Sequence, residues 1–187
     1  MGMMDLFPKH FKGTALEVGA CDGLFNSNTL AMEQSGWKVL CIEANPAYEE
    51  LLRGCRKDVM MCAVGATNED SATFHVHSKG TDALKHASWS SLMQHPNKSP
   101  THTVEVPVRT LDSCLEEWGV DHLDYLSVDV EGTEMDVLEG FSFDKWKPQV
   151  VSVENWAKSD KFFKLFQSYN MELRERRAYD EVFVHAV

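Results

Sequence analysis

The segment that most constrains this chain is a short apolar strand that runs into a turn held by two glycines. Residues 15–18 (A-L-E-V) lead into G-A-C-D-G at 19–23, and S-N-T at 27–29 marks the start of a helix. Glycine lets the backbone approach a ligand closely, and the unpaired N–H groups at a helix N-terminus face that ligand. The segment therefore predicts a binding site for a nucleotide-like molecule.

A second acidic residue closes the next apolar strand. Glu43 follows V-L-C-I at 39–42 and lies 20 residues beyond Gly23, where doubly wound α/β folds place a carboxylate on a ribose diol. The glycine spacing is G-x-x-x-G, which differs from the G-x-G-x-x-G of dinucleotide-binding enzymes. The two features together favour S-adenosylmethionine over NAD as the ligand.

Predicted strands and helices alternate along most of the chain. This alternation indicates an α/β fold with a mostly parallel sheet covered by helices on both faces. An antiparallel pair of strands ends the chain, and the 187 residues fit a single domain, 1–187. The predicted strands are 15–18, 38–42, 60–64, 123–130, 149–153, 171–176 and 181–185, and the first helix is 27–35.

Residues 68–108 interrupt this alternation and form a predicted insertion. Its middle part, 78–100, is polar and irregular and contains His86 and His95, whereas 72–76 and 104–108 alternate in polarity as strands do. A long loop inside a compact domain is usually functional or mobile. We expect the two flanking strands to pair as a flap over the site.

Composition limits the partners and the location of the protein. The net charge of −11 argues against nucleic acid or an anionic membrane as a partner, since both require a basic surface. The sequence has no apolar run long enough for a membrane span and no signal peptide. The five cysteines are an odd number without a C-x-x-C pair, which is typical of reduced core residues. These features predict a cytoplasmic protein.

A series of short motifs spans about residues 15–155. The motifs are E-V-G-A-C-D-G (17–23), S-N-T (27–29), G-W (36–37), C-I-E-A-N-P (41–46), L-D (111–112), S-V-D-V-E-G (127–132) and V-E (153–154). In this order they resemble the FkbM family of S-adenosylmethionine-dependent methyltransferases. The resemblance implies a Rossmann-like class I methyltransferase fold, with seven strands in the order 3-2-1-4-5-7-6 and the last strand antiparallel. It also implies O-methylation of a hydroxyl on a sugar or small metabolite.

Two features depart from the family pattern. Only about fourteen residues precede the first strand, so the N-terminal cap that often covers the substrate in such enzymes is nearly absent. This departure leaves the identity of the acceptor open. In addition, Glu17 stands where the family usually has an aspartate, which keeps the charge on a longer side chain.

For the methionine end of the cofactor, the predicted residues are Glu17, Gly19, Ala20, Asp22, Gly23 and Asn28. The carboxylate of Glu17 favours the ammonium group of the ligand. Asp22 either contacts the same end or caps the turn, and Asn28 either binds the cofactor or satisfies backbone N–H groups. These alternatives stay open at the level of sequence.

For the nucleoside end, the predicted residues are Glu43, Ala44, Cys62 and Ala63. Glu43 is predicted to accept both ribose hydroxyls, with Ala44 following it at the end of the second strand. Cys62 and Ala63, at the end of the third strand, are predicted to flank the adenine, although an ordinary place in the core explains them nearly as well.

The predicted catalytic residues are carboxylates at strand ends. Asp129 and Glu131 end the fourth predicted strand, where side chains two residues apart share one side, and Glu154 ends the fifth. Methyl transfer depends largely on alignment, yet a hydroxyl acceptor still needs a group that takes its proton. His75 and His77 on the flap are further candidates for this base, but an acid is favoured. Asp129 also falls within the predicted cofactor site.

A metal hypothesis follows from the same strand ends. Oxygen ligands from Asp129, Glu154 and Asn155 could hold Mg²⁺ and acidify a diol-like acceptor. The favoured interpretation is that Glu154 orients a loop and that no metal is bound.

Three alternative interpretations remain. A binding module would keep the cofactor pocket without transferring a methyl group, and an NAD-dependent oxidoreductase is disfavoured by the glycine spacing and the terminal hairpin. A homo-oligomer could also supply the missing cap from a second subunit.

Overall fold

The computed structural model describes residues 2–77, 90–94 and 99–185. His86 and His95 of the predicted insertion lie outside these residues. The described strands are β1 (Thr14–Val18), β2 (Lys38–Glu43), β3 (Asp58–Met61), β4 (Ala63–Val64), β5 (Glu69–Val76), β6 (His102–Arg109), β7 (Tyr125–Val128), β8 (Val150–Glu154), β9 (Met171–Arg177) and β10 (Asp180–His185). The described α-helices are α1 (Leu30–Gln34), α2 (Glu49–Cys55), α3 (Leu111–Trp118), α4 (Glu134–Glu139), α5 (Phe143–Trp146) and α6 (Lys161–Ser168).

One large sheet contains seven of these strands in the order β3-β2-β1-β7-β8-β10-β9. Five neighbouring strands of this sheet, β3, β2, β1, β7 and β8, pair in parallel. β10 runs antiparallel to both β8 and β9. Counted within this sheet alone, the order is 3-2-1-4-5-7-6. The prediction of a mostly parallel α/β sheet is confirmed.

The central strands are buried on both faces, as continuous apolar runs in parallel sheets usually are. Every residue of β1, β7 and β8 is buried. In β1, Leu16 and Val18 pack into the core on one face of the sheet, and Ala15 packs into the core on the other. The second core includes Trp37, which meets Phe7 and Phe11 edge-to-face, so the N-terminal segment packs against the sheet.

The third predicted strand, 60–64, is wrong as a single element. Asp58–Met61 pairs with β2, and the chain then leaves the large sheet, so that Ala63–Val64 pairs in parallel with β6 instead. Cys62 lies at the bend, where its N–H donates to the carbonyl of Glu43 at 3.0 Å. The divided strand carries the chain from the large sheet into the insertion.

A second, three-stranded sheet has the order β4-β6-β5, and its strands β5 and β6 belong to the insertion. β5 and β6 pair antiparallel, which confirms the predicted pairing of the two strands that flank the loop. Phe74, Val76, Val106 and Val108 form its buried face together with Ala63.

The first predicted helix, 27–35, begins later than expected. α1 starts at Leu30 because the preceding residues are bound to a buried carboxylate instead of a helical turn. Ser27 Oγ and Thr29 Oγ1 donate to Glu17, as does the backbone N–H of Asn28. No helix in the described residues combines the length and the apolar character that a membrane crossing requires.

Candidate functional site

A cavity of about 240 Å³ opens where the carboxyl ends of β1, β2, β7 and β8 meet. In open α/β sheets, ligands bind at this edge, next to the point where the strand order reverses. The lining includes ten residues predicted from the sequence: Glu17, Gly19, Ala20, Glu43, Ala44, Cys62, Ala63, Asp129, Glu131 and Glu154. Both carboxylates at the centre of the prediction, Glu17 and Glu43, therefore face the same cavity.

Gly19 lets two strands come together at the floor of this cavity. Its φ is +85°, and a Cβ atom added there would lie 1.7 Å from the backbone oxygen of Asp129. No other residue has both the space and the conformational freedom for this position. Gly19 thus sets how closely the turn after β1 approaches the end of β7.

Glu17 is buried and already surrounded by donors. Its Oε1 accepts the N–H of Asn28 at 2.7 Å, and its Oε2 accepts Ser27 Oγ at 2.8 Å and Thr29 Oγ1 at 2.5 Å. The guanidinium of Arg56, 3.1 Å away, balances its charge. These contacts give Glu17 a role in holding the turn together, and its contact with a ligand ammonium stays a prediction.

Glu43 is also buried, and its contacts leave room for a ligand. Its Oε2 accepts the N–H of Cys21 at 2.8 Å, and its Oε1 accepts the N–H of Asn45 at 2.7 Å. Each carboxylate oxygen has a second lone pair that can accept a hydroxyl. Burial raises the pKa of Glu43, while the backbone N–H groups of Asn45, Cys21 and Ala44 oppose that shift. The geometry suits a carboxylate that accepts two neighbouring hydroxyls.

Three predicted cofactor residues do not line the cavity. Asp22 Oδ1 accepts the N–H groups of Leu24 and Phe25, so the turn-capping alternative describes it. Gly23 packs against α2, and Asn28 Nδ2 donates to Ser127 Oγ at 3.1 Å. We leave Asp22, Gly23 and Asn28 out of the site proposed below.

The predicted catalytic acids meet on the opposite side of the cavity from Glu43. One oxygen each of Asp129, Glu131 and Glu154 lies within 4.8 Å of the other two. Burial raises the pKa of Glu154, and the negative charges of Asp129, Glu131 and Glu134 raise it further. Asp129 faces the cavity, but the surrounding protein still partly desolvates it and raises its pKa, as do the charges of Asp180 and Glu134.

The environments of Asp129 and Glu154 indicate which of them holds a proton. Glu154 is only 8% exposed, whereas the side chain of Asp129 is accessible to water in the cavity. Their mutual hydrogen bond favours the ionised form of Asp129. The pKa values of both acids are raised, and the hydrogen bond between them favours the arrangement in which Glu154 keeps the proton and donates to the Asp129 carboxylate.

Glu131 is held in an unusual backbone conformation. Its φ is +60°, in the left-handed region, and that of the following Gly132 is +114°. Gly132 donates its N–H to Glu134 Oε1 at 2.7 Å, which fixes the turn. Left-handed non-glycine residues often occur at functional sites.

Asn155 does not join the acids. Its Nδ2 donates to the carbonyl of Ser159 at 2.8 Å, and its Oδ1 accepts the N–H of Ser159 at 3.1 Å. Of the hypothetical Mg²⁺ ligand set, Asp129 and Glu154 come together, with Glu131 and not Asn155 as the third neighbour, and metal binding stays a prediction. The flap histidines His75 and His77 do not line the cavity either.

Sequence reasoning missed the aromatic part of the site. Trp156 and Tyr179 line the cavity and stack at 3.9 Å between ring centroids, and Phe25 and Phe74 also line it. The only sequence signal was a tryptophan two residues after Glu154. Tyr179 lies in the turn of the terminal hairpin, which no local pattern places near Glu154.

The cavity has a strongly acidic lining. Among the described lining residues there is no lysine, arginine or histidine. The carboxyl-bearing residues are Glu17, Glu43, Asp129, Glu131 and Glu154. Such a lining favours cationic ligands and disfavours phosphate groups.

Comparisons with known proteins agree with this fold. The model of the methyltransferase FkbM domain matches residues 17–180. The structure is similar to the crystal structure of methyltransferase FkbM from Methylobacillus flagellatus KT, with a TM-score of 0.59 and 14% sequence identity. The match covers 93% of this chain but only 44% of the Methylobacillus chain. This chain therefore spans less than half the length of that protein.

No curated protein matches the sequence significantly. At 14% identity the structural likeness bears on the fold alone. The family model, in contrast, covers most of the chain, and the resemblance inferred from the motifs is confirmed. The chain belongs to the FkbM methyltransferase domain family.

Proposed function

We propose that this protein transfers a methyl group from S-adenosylmethionine to a hydroxyl of a sugar or another small metabolite. The proposal depends on one observation: Glu43 and the Asp129–Glu154 pair line the same acidic cavity. S-adenosylmethionine carries a positive sulfonium and an ammonium, which carboxylates attract. NAD carries a negative pyrophosphate, for which the described lining offers no cationic side chain.

In this proposal the nucleoside lies along the ends of β2 and β3. Glu43 would accept the ribose hydroxyls, with Ala44 beside them. Cys62 and Ala63, which line the cavity where β3 gives way to β4, would flank the adenine. Gly19 and Ala20 would lie against the methionine part.

When bound, S-adenosylmethionine supplies the electrophilic methyl group. The protein positions the acceptor hydroxyl, excludes water and receives the hydroxyl proton. Asp129 is the group we assign as the proton acceptor, because it faces the cavity and its hydrogen bond with Glu154 favours its ionised form. Glu154 holds Asp129 in place and stabilises its charge.

Calorimetry with S-adenosylhomocysteine, S-adenosylmethionine and NADH tests the cofactor. We expect both sulfur nucleosides to bind and NADH not to bind. Glu43→Gln should weaken binding by about tenfold or more, since it removes a charge-assisted hydrogen bond to the ribose. Glu50→Gln, an exposed acid on α2, is the matched control and should leave binding unchanged.

The absence of heat with either sulfur nucleoside would contradict the proposal. Methyl transfer is then measured across a panel of hydroxyl compounds with labelled S-adenosylmethionine. Tight nucleoside binding without transfer to any acceptor would favour a cofactor-binding module instead.

A further inference from the structure

Two aromatic side chains form a platform beside the catalytic acids. Trp156 and Tyr179 stack at 3.9 Å with an interplanar angle of 11°, and both line the cavity. They are 54% and 45% exposed, although large aromatic rings are usually more buried. Stacked rings that stay accessible inside a cavity are suited to contact a ligand.

Neighbouring contacts hold the platform in place. The N–H of Asn155 donates to the carbonyl of Tyr179 at 2.6 Å, and the Asn155 side chain is fixed by its two hydrogen bonds to Ser159. The Trp156 indole is held by its stacking on Tyr179, and its side chain lowers the pKa of the neighbouring Glu154, against the larger rise that burial causes. Trp156 is therefore oriented before any ligand arrives, which lowers the entropy cost of binding.

The charges beside the platform restrict what can stack on it. Glu131 and Glu154 line the same cavity as Trp156. One carboxylate oxygen of Asp129 lies within 4.8 Å of one oxygen of each of them. The described lining contains no cationic side chain that could neutralise a bound anion. Among the described lining residues, a phosphate or carboxylate on the acceptor would meet carboxyl groups and no cationic side chain.

We infer that the methyl acceptor is a ring compound without negative charge, such as a neutral sugar or an amino sugar, which stacks on the Trp156–Tyr179 platform. The carboxylates of the described lining disfavour phosphorylated and carboxylated acceptors. A sugar ring offers a flat C–H face to the indole, and an ammonium group gains attraction from both the ring face and Glu131. This inference rests on the proposed function and specifies its substrate class.

Nuclear magnetic resonance of the tryptophan indole N–H groups tests the inference directly. The protein is saturated with S-adenosylhomocysteine and titrated separately with methyl glucoside, glucosamine and glucose 6-phosphate. Trp156→Phe identifies the Trp156 signal. Trp146 provides an internal control, since its indole is buried and donates to Asp112 at 2.9 Å.

We expect methyl glucoside and glucosamine to shift the Trp156 signal without moving that of Trp146. Their dissociation constants should be lower than that of glucose 6-phosphate by about tenfold or more at low ionic strength, and added salt should narrow the difference. A Trp156 shift from glucose 6-phosphate at equal or lower concentration would overturn the inference. So would the absence of a shift with all three sugars up to their solubility limits.

A pair of variants checks the site by calorimetry. Trp156→Ala should abolish sugar binding, whereas Phe163→Ala, which truncates an exposed aromatic of α6 outside the cavity, should leave it unchanged. To separate the two proposals, S-adenosylhomocysteine is first titrated into the ligand-free protein, and the sugar is titrated afterwards. Failure of the nucleoside to bind contradicts the proposed function, whereas nucleoside binding without sugar binding contradicts only the acceptor class.

Discussion

Asp129 and Glu154 are both carboxylic acids, yet their surroundings assign them different states. Glu154 is buried, and burial together with neighbouring charges raises its pKa. Asp129 faces the cavity and accepts the hydrogen bond that Glu154 donates. Pairs of acids whose environments separate their proton affinities often divide catalytic roles between them.

Amide substitutions distinguish the two roles. Asp129→Asn should lower kcat by about 10²–10⁴-fold, since the amide cannot accept the hydroxyl proton. Glu154→Gln should keep most of the activity, because its amide donates to Asp129 as the protonated acid does. The measurement is methyl transfer to any acceptor that the wild type uses, with nucleoside affinity as the control. An equal loss in both variants would contradict the assignment of Asp129 as the base.

The rate of methyl transfer should also depend on pH through Asp129. The residue must be ionised to take a proton, so kcat/KM should rise with pH through its pKa, which lies above the ordinary aspartate value of about 4. The charge of Asp180 is one cause of that raised pKa. Asp180→Asn should therefore move the midpoint to lower pH. Asp144→Asn on α5, outside the cavity, should not move it.

At the scale of elements, the site depends on how closely the ends of β1 and β7 approach each other. Gly19→Ala would place a methyl group 1.7 Å from the Asp129 carbonyl oxygen at a φ of +85°. We expect it to destabilise the protein by more than about 2 kcal/mol and to weaken nucleoside binding. Urea unfolding and calorimetry measure both effects.

Gly54→Ala supplies the matched control for this substitution. Gly54 lies in α2, with no atom within 4 Å of an added Cβ. The alanine should stabilise the helix by about 0.5–1 kcal/mol. If Gly19→Ala proved as harmless as Gly54→Ala, neither stability nor nucleoside binding would require the close approach of β1 and β7.

The turn after β1 is held by Arg56, the residue that directly follows α2, whose side chain is fully buried. Its guanidinium contacts Glu17, Glu33, Ser27 and Thr29 and the carbonyl of Gly23, all within 3.1 Å. This single side chain joins the acid of β1, the turn and α1. No local sequence pattern indicates this role.

Arg56→Met should destabilise the protein by about 3–5 kcal/mol, because it leaves Glu17 and Glu33 buried without a counter-charge. Arg53→Met on α2 breaks a half-exposed pair with Glu49 and should cost less than about 1 kcal/mol. Chemical denaturation compares the two variants. Equal effects would show that the buried network is not what holds the turn.

At the scale of the whole molecule, acids with raised pKa values make stability depend on pH. The native state keeps the Glu154 proton at pH values where the unfolded chain, with an ordinary pKa of about 4.3, has lost it. The native state then binds more protons, so stability falls as pH rises from about 4.3 to the raised pKa of Glu154.

Glu154→Gln removes this titration. Between about pH 5 and pH 8, its unfolding free energy should fall less than that of the wild type, as urea denaturation at each pH can measure. Glu139→Gln, an exposed acid at the end of α4, should follow the wild type. Parallel pH profiles for wild type and Glu154→Gln would mean that Glu154 is not protonated in the native state.

Much of the fold could be predicted from local patterns. Apolar runs with acids at their ends located β1, β2, β7 and β8, and a turn between two short strands located the terminal hairpin. The divided third strand was missed because residues 60–64 form one apolar run, and only the pairing of Ala63–Val64 with β6 separates its two parts. The late start of α1 was missed because it depends on Glu17, ten residues before Ser27.

The sequence by itself determined the apolar strands, the glycine turn and the acids that end the strands, since these follow from spacing along the chain. Only the tertiary structure decided what those acids contact. Arg56 reaches Glu17 across 39 residues, and Tyr179 stacks on Trp156 across the terminal hairpin. The states of Glu154 and Asp129 likewise depend on burial and on charges that packing brings together, and local sequence does not encode those distances.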